Sequence, residues 1–226
     1  MILELHSHSK YSYDSLIEPI KMVKYAKKIG LDGIAITDHD TIKGGVIAQK
    51  DNRSDEFTVI VGCETKTEAG DIIGLFLNEE LRSRNSLEVI DEIHDQAGIV
   101  VLPHPFRGHN LSEDLIKKVD LIEVINSRSS SEANKRAKEL ALSSLKNSVV
   151  GSDAHFLSEI GSSKNIFPVN FNIRKEILNG CSDIQINSSP SYLQPLSQTI
   201  KAIKQERYHD VLILLSYTFM QFIFRK

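Results

Sequence analysis

The residues of this chain best suited to chemistry are histidines and carboxylates in short clusters: His6-Ser7-His8, Asp38-His39-Asp40, Cys63-Glu64, Pro103-His104-Pro105 and Asp153-Ala154-His155. On an extended strand, side chains at i and i+2 leave the same face, so His6 and His8, and likewise Asp153 and His155, can aim at one point. Each cluster ends an apolar run, where ionisable groups are costly to bury unless paired or bound to a metal. A single HxH pair also occurs in ordinary surface strands. For His39 the plain alternative is a strand end reaching solvent, with a helix cap at Asp40 or Thr41; beside His6 and His8 a ligand role fits better. The prolines flanking His104 restrict its backbone and fix the ring.

This mixture has a recognisable use. Imidazole suits zinc, iron and manganese, carboxylates bridge hard cations, and the chain has no thiolate set for a structural zinc site. Two ions about 3.5–4 Å apart can turn a water on phosphorus and stabilise the oxygen that leaves. No Gly-rich nucleotide fingerprint points to an organic cofactor. Arg107, just past His104, is placed to meet a substrate phosphate, with a solvated loop arginine as the alternative; Arg128 and Lys43 follow other motifs in the same way. Asp38 is the other catalytic candidate, orienting His39 or a water, or else capping the next helix. Glu123 and Asn126 could orient a ligand histidine. Cys63 reads as core packing, Tyr11 and Tyr13 as pocket wall or core, and His94, His109 and His209 as bystanders.

The elements that must position these groups alternate. Candidate strands are Ile2–Leu5, Gly33–Thr37, Thr58–Gly62, Ile72–Leu77, Ile99–Leu102, Leu121–Ile125 and Ser148–Gly151; candidate helices are Glu18–Ile29, Ser86–Gln96 and Ser131–Leu145. Asn85 or Ser86 could open the second helix, while Gly30 and Gly98 suit C-terminal caps. Such βα alternation gives a doubly wound sheet or a barrel. The polar clusters at strand ends favour the barrel, whose active sites sit on that rim. Beyond Gly161 the pattern changes: Asn165–Asn172 reads as a last strand, Arg174–Asn179 as a short helix, Ser182–Pro195 as a polar linker, and Ser197–Arg207 and Asp210–Phe224 as a helical appendage. The expected division is therefore 1–182 for the hydrolase domain and 183–226 for linker and appendage.

The bulk composition agrees with one sizeable domain: 226 residues, 41% hydrophobic and 25% charged. A formal net charge of −3, with the 27 basic and 30 acidic residues well mixed, argues against an extended track for duplex nucleic acid. The two cysteines form no disulfide framework, and the N-terminal segment lacks the features of a signal peptide, so a cytoplasmic location is expected. The apolar segment Val211–Phe224 falls short of the ~20 residues that span a bilayer. It is expected to be a buried helix, a contact between copies in a homo-oligomer, or a peripheral attachment to a membrane surface.

Taken together and in this order, HSHSKYSYDS, ITDHDT, GCE, PHP and GSDAH resemble the successive motifs of the PHP (polymerase and histidinol phosphatase) family over about residues 1–161. The resemblance implies an α/β fold, a distorted seven-stranded (β/α) barrel, with two or three divalent metal ions (Mn, Fe or Zn) on its rim. By the same resemblance His6, His8, Asp14, His39, Glu64, His104, Asp153 and His155 fall on ligand positions. One position departs: where many relatives have a metal-binding histidine, this chain has Asp71, which either ligates with a preference for a harder metal or leaves a third site weak or empty. A long insertion found between Glu64 and His104 in some nucleotide-acting relatives is also missing. The expected activity is hydrolysis of a phosphate monoester or diester of a small metabolite or nucleotide. The alternatives are an amidohydrolase-like attack on a C–N or ester bond and a noncatalytic PHP module.

Overall fold

The computed structural model describes residues 1–168 and 172–223. In chain order the strands are β1 (Ile2–Glu4), β2 (Gly33–His39), β3 (Thr58–Thr67), β4 (Gly70–Leu75), β5 (Ile99–Leu102), β6 (Leu121–Asn126), β7 (Asn147–Gly151), β8 (Ser163–Ile166) and β9 (Asp183–Ile186). The helices are α1 (Pro19–Lys28), α2 (Lys43–Asp51), α3 (Ser86–Asp95), α4 (Glu113–Lys118), α5 (Ser131–Ser143), α6 (Ile173–Leu178), α7 (Leu193–Lys204) and α8 (Tyr208–Ile223). They begin where local chemistry favours it. Pro19 opens α1, the Asn85 side chain accepts from the backbone of Leu87 and Glu88 to cap α3, and Ser130 caps α5. Gly30 takes φ +78° after α1 as expected, but after α3 it is Ala97, not Gly98, that turns left-handed, at φ +53°.

The strands form one nearly closed sheet in the order β7-β6-β5-β4-β3-β2-β1-β8-β9. β1, β2 and β3 run parallel, as do β5, β6 and β7, while β4 is antiparallel to both neighbours. Past β1 the chain reaches over to close the barrel: Ser7 bridges Ala154, with His8 N–H donating to the Ala154 carbonyl at 2.8 Å. Below that bridge the Asn165 side chain of β8 pairs with both backbone groups of Val150, at 2.8 and 2.7 Å, substituting for a missing ladder bond.

Side-chain alternation then divides the barrel interior. Ala35 and His39, Ile60 and Glu64, and Leu121 and Glu123 share the inward faces of their strands. One end is therefore apolar, packed around Ile60, Ile73, Leu75 and Val101 and closed by Phe167 and Ile177. The other end gathers the ionisable groups. A second apolar layer joins the outer strand faces to α3 through Val89, Ile90 and Ile93.

Several expectations need correction. Strict βα repetition fails at β3–β4, a hairpin, and helices α2 and α4 carried too weak an apolar pattern to be expected. The segment Ser182–Pro195 is not a plain linker: it contains β9, which pairs with β8 at the sheet edge, and the start of α7. The strand expected at Asn165–Asn172 starts at Ser163 and ends at Ile166, and residues 169–171 lie outside the described part. The apolar helix α8 is not buried in this chain, since none of its residues is buried and Leu212 is 76% exposed. Among the described residues no helix is long and apolar enough to cross a membrane; Phe224, Arg225 and Lys226 lie outside them.

One glycine tests the packing behind the polar rim. A Cβ at Gly44, in the first turn of α2, would overlap the Asp38 carboxylate and the Ser9 hydroxyl. Gly→Ala in an exposed helix stabilises by about 1 kcal/mol. Gly44→Ala is expected to do the opposite, lowering stability by about 1–3 kcal/mol in urea unfolding; an unchanged or raised midpoint would contradict the packing described.

Candidate metal centre

Each strand end delivers its cluster to the polar end of the barrel. The segment after β1 brings His6, His8 and, in the following loop, Asp14; β2 ends in His39, β3 carries Glu64, β5 leads to His104, and Asp153 and His155 follow β7. Because β4 is antiparallel, its first residues, not its last, lie on this rim, and that is where Asp71 sits. His104 and Asp153 hold positive φ, +28° and +53°. Such conformations cost non-glycine residues about 1–3 kcal/mol and persist where surrounding structure enforces them, commonly at functional sites.

Glu64 lies at the middle. Its Oε2 is 3.2 Å from His6 Nε2, 3.3 Å from His8 Nε2 and 3.3 Å from His39 Nδ1, and its Oε1 is 2.9 Å from His104 Nε2. Asp153 Oδ1 lies 3.2 Å from His8 Nε2, and Asp14 Oδ2 lies 3.1 Å from His155 Nε2 and 3.4 Å from His39 Nε2. Three overlapping groups have donor atoms within 4.8 Å of one another: His8, His39 and His155; His6, His8, Glu64 and Asp153; and Glu64, Asp71 and His104. All nine expected ligand positions thus meet in one place. Eight of them are buried or nearly so, while Asp71 is half-buried at the edge.

The donor set fits divalent cations. His8 Nε2 sits beside two carboxylates yet off the line of a hydrogen bond to either, and Asp14 Oδ1 and His104 Nδ1 are likewise buried without hydrogen-bond partners. Buried polar atoms are rarely left this way. The outer partners are in place: His6 Nδ1 meets Glu123 Oε1 at 2.8 Å, and His155 Nδ1 donates to the Asp153 carbonyl at 2.8 Å, leaving each Nε2 turned to the cluster. Ser12 Oγ, donating to Asp38 at 3.0 Å, accepts from His8 Nδ1 at 3.1 Å.

Electrostatics follow from this crowding. Burial opposes ionisation of Glu64, but the charges of His6 and His39 and the His104 hydrogen bond overcome it and hold the carboxyl well below its usual range. Asp153 is held low against its burial by Arg107 and His6. Burial also opposes protonation of His8, yet Asp153 and Glu64 push it up to about 9, and His6 is raised as well by Glu123 and Glu64. Burial lowers His104 and His155, aided by Arg107 and Arg128 respectively, which keeps those rings neutral. Asp71 is raised by burial and by Glu64.

The remaining expected residues separate. Arg107 reaches the cavity, its Nη2 held by Asp153 Oδ2 at 2.5 Å. Asp38 does not: its carboxylate is taken up behind His8 by the Ser9 amide and hydroxyl and by Ser12, so its reach to the site runs through Ser12. Arg128 is consumed by a buried pair with Glu159 and by Ser197 and the Leu193 carbonyl. Lys43 lies over the Tyr11 ring, whereas Tyr13 stacks on His39 with ring planes 2° apart. His109, set aside in the sequence, packs 5.5 Å from His104 and bonds the Asp71 carbonyl through Nε2, leaving Nδ1 buried and unpartnered. Also unforeseen are Gln194, Gln198 and Lys201 of α7, which wall a cavity of about 150 Å³ with Tyr13, Asp14, His39, Arg107, Arg128, Asp153 and His155.

The PHP domain model matches residues 4–226. The chain belongs to the PHP domain family. An uncharacterised protein of Methanocaldococcus jannaschii, MJ1587, is 41% identical over 47% of this chain and 68% of its own length. Among solved structures, a two-domain protein from Bacteroides vulgatus containing a predicted PHP-like metal-dependent phosphoesterase superposes with a TM-score of 0.70 at 18% identity, covering 88% of this chain and 69% of the other. An amidohydrolase from Chromobacterium violaceum, with bound sulfate and no metal, gives a TM-score of 0.59 at 16% identity over 74% and 92%. At these identities the structural likenesses establish the PHP-type barrel.

The protonation pattern makes a measurable statement. With its pKa raised from 6.5 to about 9, His8 stabilises the metal-free fold below pH 6.5, and that contribution is lost as pH rises through about 9. A cation must displace this proton. Mn²⁺ uptake by the metal-free chain is expected to release protons at pH 7, read as a buffer-dependent calorimetric enthalpy, and to tighten between pH 6 and 9. A pH-independent affinity would contradict the arrangement.

Proposed function

We propose that this chain is a metal-dependent phosphoesterase that hydrolyses phosphate monoesters of small metabolites, with two or three divalent ions (Mn, Fe or Zn) held by His6, His8, Asp14, His39, Glu64, Asp71, His104, Asp153 and His155. The observation that carries this reading is the sharing of Glu64 and His8 among overlapping donor groups, with His8 Nε2 and Asp14 Oδ1 buried and without hydrogen-bond partners. Ions in such a site polarise the phosphoryl oxygens, activate water and stabilise the leaving oxygen. The chain's own residues do the rest. Glu123 holds the Nδ1 proton of His6 and fixes its tautomer; Asp38, through Ser12, does the same for His8, a positioning role in place of a catalytic contact. Arg107, its Nη2 held by Asp153 and its Nη1 donating to Asn126 Oδ1 at 3.4 Å, presents the remaining edge of its guanidinium to a phosphoryl oxygen, a role that suits a planar cation.

Cavity size favours one of the substrates that the family resemblance leaves open. About 150 Å³ is well below the ~300–1,000 Å³ of sites for drug-sized ligands. A small monoester fits that space better than a nucleotide or a diester with two bulky arms. The amidohydrolase neighbour keeps C–N hydrolysis as the second reading, and the arginine beside the carboxylate cluster weighs against it.

The test is turnover by the Mn²⁺-loaded chain. p-Nitrophenyl phosphate is expected to be hydrolysed with kcat/KM at least about tenfold above that for the bis ester. Arg107→Ala should cost about 10²–10³ in rate on the monoester, and Glu123→Gln about 10–100-fold in metal affinity or activity. Absence of hydrolysis across monoesters and diesters, with metal content verified, contradicts the proposal; so does an Arg107→Ala protein as active as the parent.

A further inference from the structure

Helix α7 comes from the part of the chain that reads as an appendage, yet it forms a wall of the cavity. Gln194, Gln198 and Lys201 occupy i, i+4 and i+7, a single stripe along the helix, and all three line the cavity beside the metal-ligand candidates. The helix is fastened at both ends. At its start Arg128, paired with Glu159, donates to Ser197 Oγ at 2.9 Å and to the Leu193 carbonyl at 3.4 Å. At its end the Lys204 ammonium donates to the carbonyls of Lys10, Ser12 and Ser15, at 2.8, 2.7 and 2.8 Å, using all three protons on the loop that carries Tyr13 and Asp14.

That fastening sets Lys201. Its Nζ lies 4.3 Å above the centre of the Tyr13 ring, whose other neighbour is the His39 ring, 4.4 Å away. The Tyr13 ring thus offers Lys201 a cation-π face. The three cations of the cavity are thereby unlike. Arg107 is bound to Asp153 and Arg128 to Glu159, whereas Lys201 has no carboxylate partner among the described residues. Arg107 enters from the Asp153 side and Lys201 from the Tyr13 and His39 side. A cation without a carboxylate partner among the described residues, lining a small polar cavity at the end of a stripe of two amide side chains, recognises an anion.

We infer that α7 reads the non-phosphate end of the substrate, Lys201 binding a second anionic group, such as a carboxylate, on a small phosphate monoester while Gln194 and Gln198 bond its polar body. This rests on the phosphoesterase reading and narrows it to doubly anionic substrates.

The experiment uses two non-hydrolysable probes, phosphonoacetate and methylphosphonate, titrated calorimetrically into the Mn²⁺-loaded full chain. The wild type is expected to prefer phosphonoacetate by about tenfold, the weight of one charge-assisted hydrogen bond. Lys201→Gln should bring the ratio close to one and Lys201→Arg should retain most of it. Because carboxylate chelation of the metal would give a preference that survives Lys201→Gln, that outcome overturns the inference. So does equal affinity, or no binding of either probe, in the wild type. A protein that shows the Lys201-dependent preference but fails to hydrolyse p-nitrophenyl phosphate would sink the phosphoesterase reading alone.

Discussion

One carboxylate organises the rest of the molecule. Glu64 faces four imidazoles from three different strand ends and is fully buried, a position that only compensating charge or a bound cation makes tolerable. Its placement depends on register. His39 and Glu64 are partners at the end of the β2–β3 ladder, and Ile73 faces Glu64 from β4. A slip of one residue in β3 would turn Glu64 outward and Cys63 inward, emptying the centre. The apolar inner layer of Ile60, Ile73 and Val101, on the same strand faces, is what holds that register.

Closure of the barrel matters for the same reason. The ligand candidates at the two ends of the chain meet only because Ser7 bridges Ala154 and the Asn165 side chain ties Val150 to the β1 side. Glu4, buried beneath, accepts from the Ser152 and Gly161 amides and the Ser152 hydroxyl, and its burial raises it to about 7. The C-terminal third completes this work from outside. A buried Arg128–Glu159 pair contributes little net stability once desolvation is counted; its effect is positional, locking α7 over the site while Glu159 also accepts from the His155 and Phe156 amides.

Much of this was legible in the sequence, for physical reasons. Ionisable groups at the ends of apolar runs have few structural explanations, so His6, His8, His39, Glu64, His104, Asp153 and His155 could be read from type and spacing, and motif order added Asp14 and Asp71. What escaped was non-local. Nothing in the run Gly70–Leu75 says that β4 runs backwards, and so a rule based on strand C-terminal ends cannot find Asp71. Asp38 adjoins His39, yet alternation turns it to the opposite face, into the Ser9–Ser12 turn. His109 and Lys201 lie in a loop and on an amphipathic helix where polar residues are ordinary; only the polar stripe Gln194, Gln198 and Lys201 on α7 offered a signal. The apolar pattern of α8 argued for burial, but among the described residues it packs mainly on α7, with Phe222 against Tyr192, and none of its residues is buried.

Convergence of distant imidazoles and carboxylates on adjacent cations around Glu64 can be seen by crystallography of the Mn²⁺-soaked chain with anomalous differences at the manganese edge. At least two peaks about 3.5–4 Å apart are expected, both within ligand distance of Glu64, His8 or Asp153. A single peak elsewhere on the surface, or none in the barrel mouth at full soak, would contradict it.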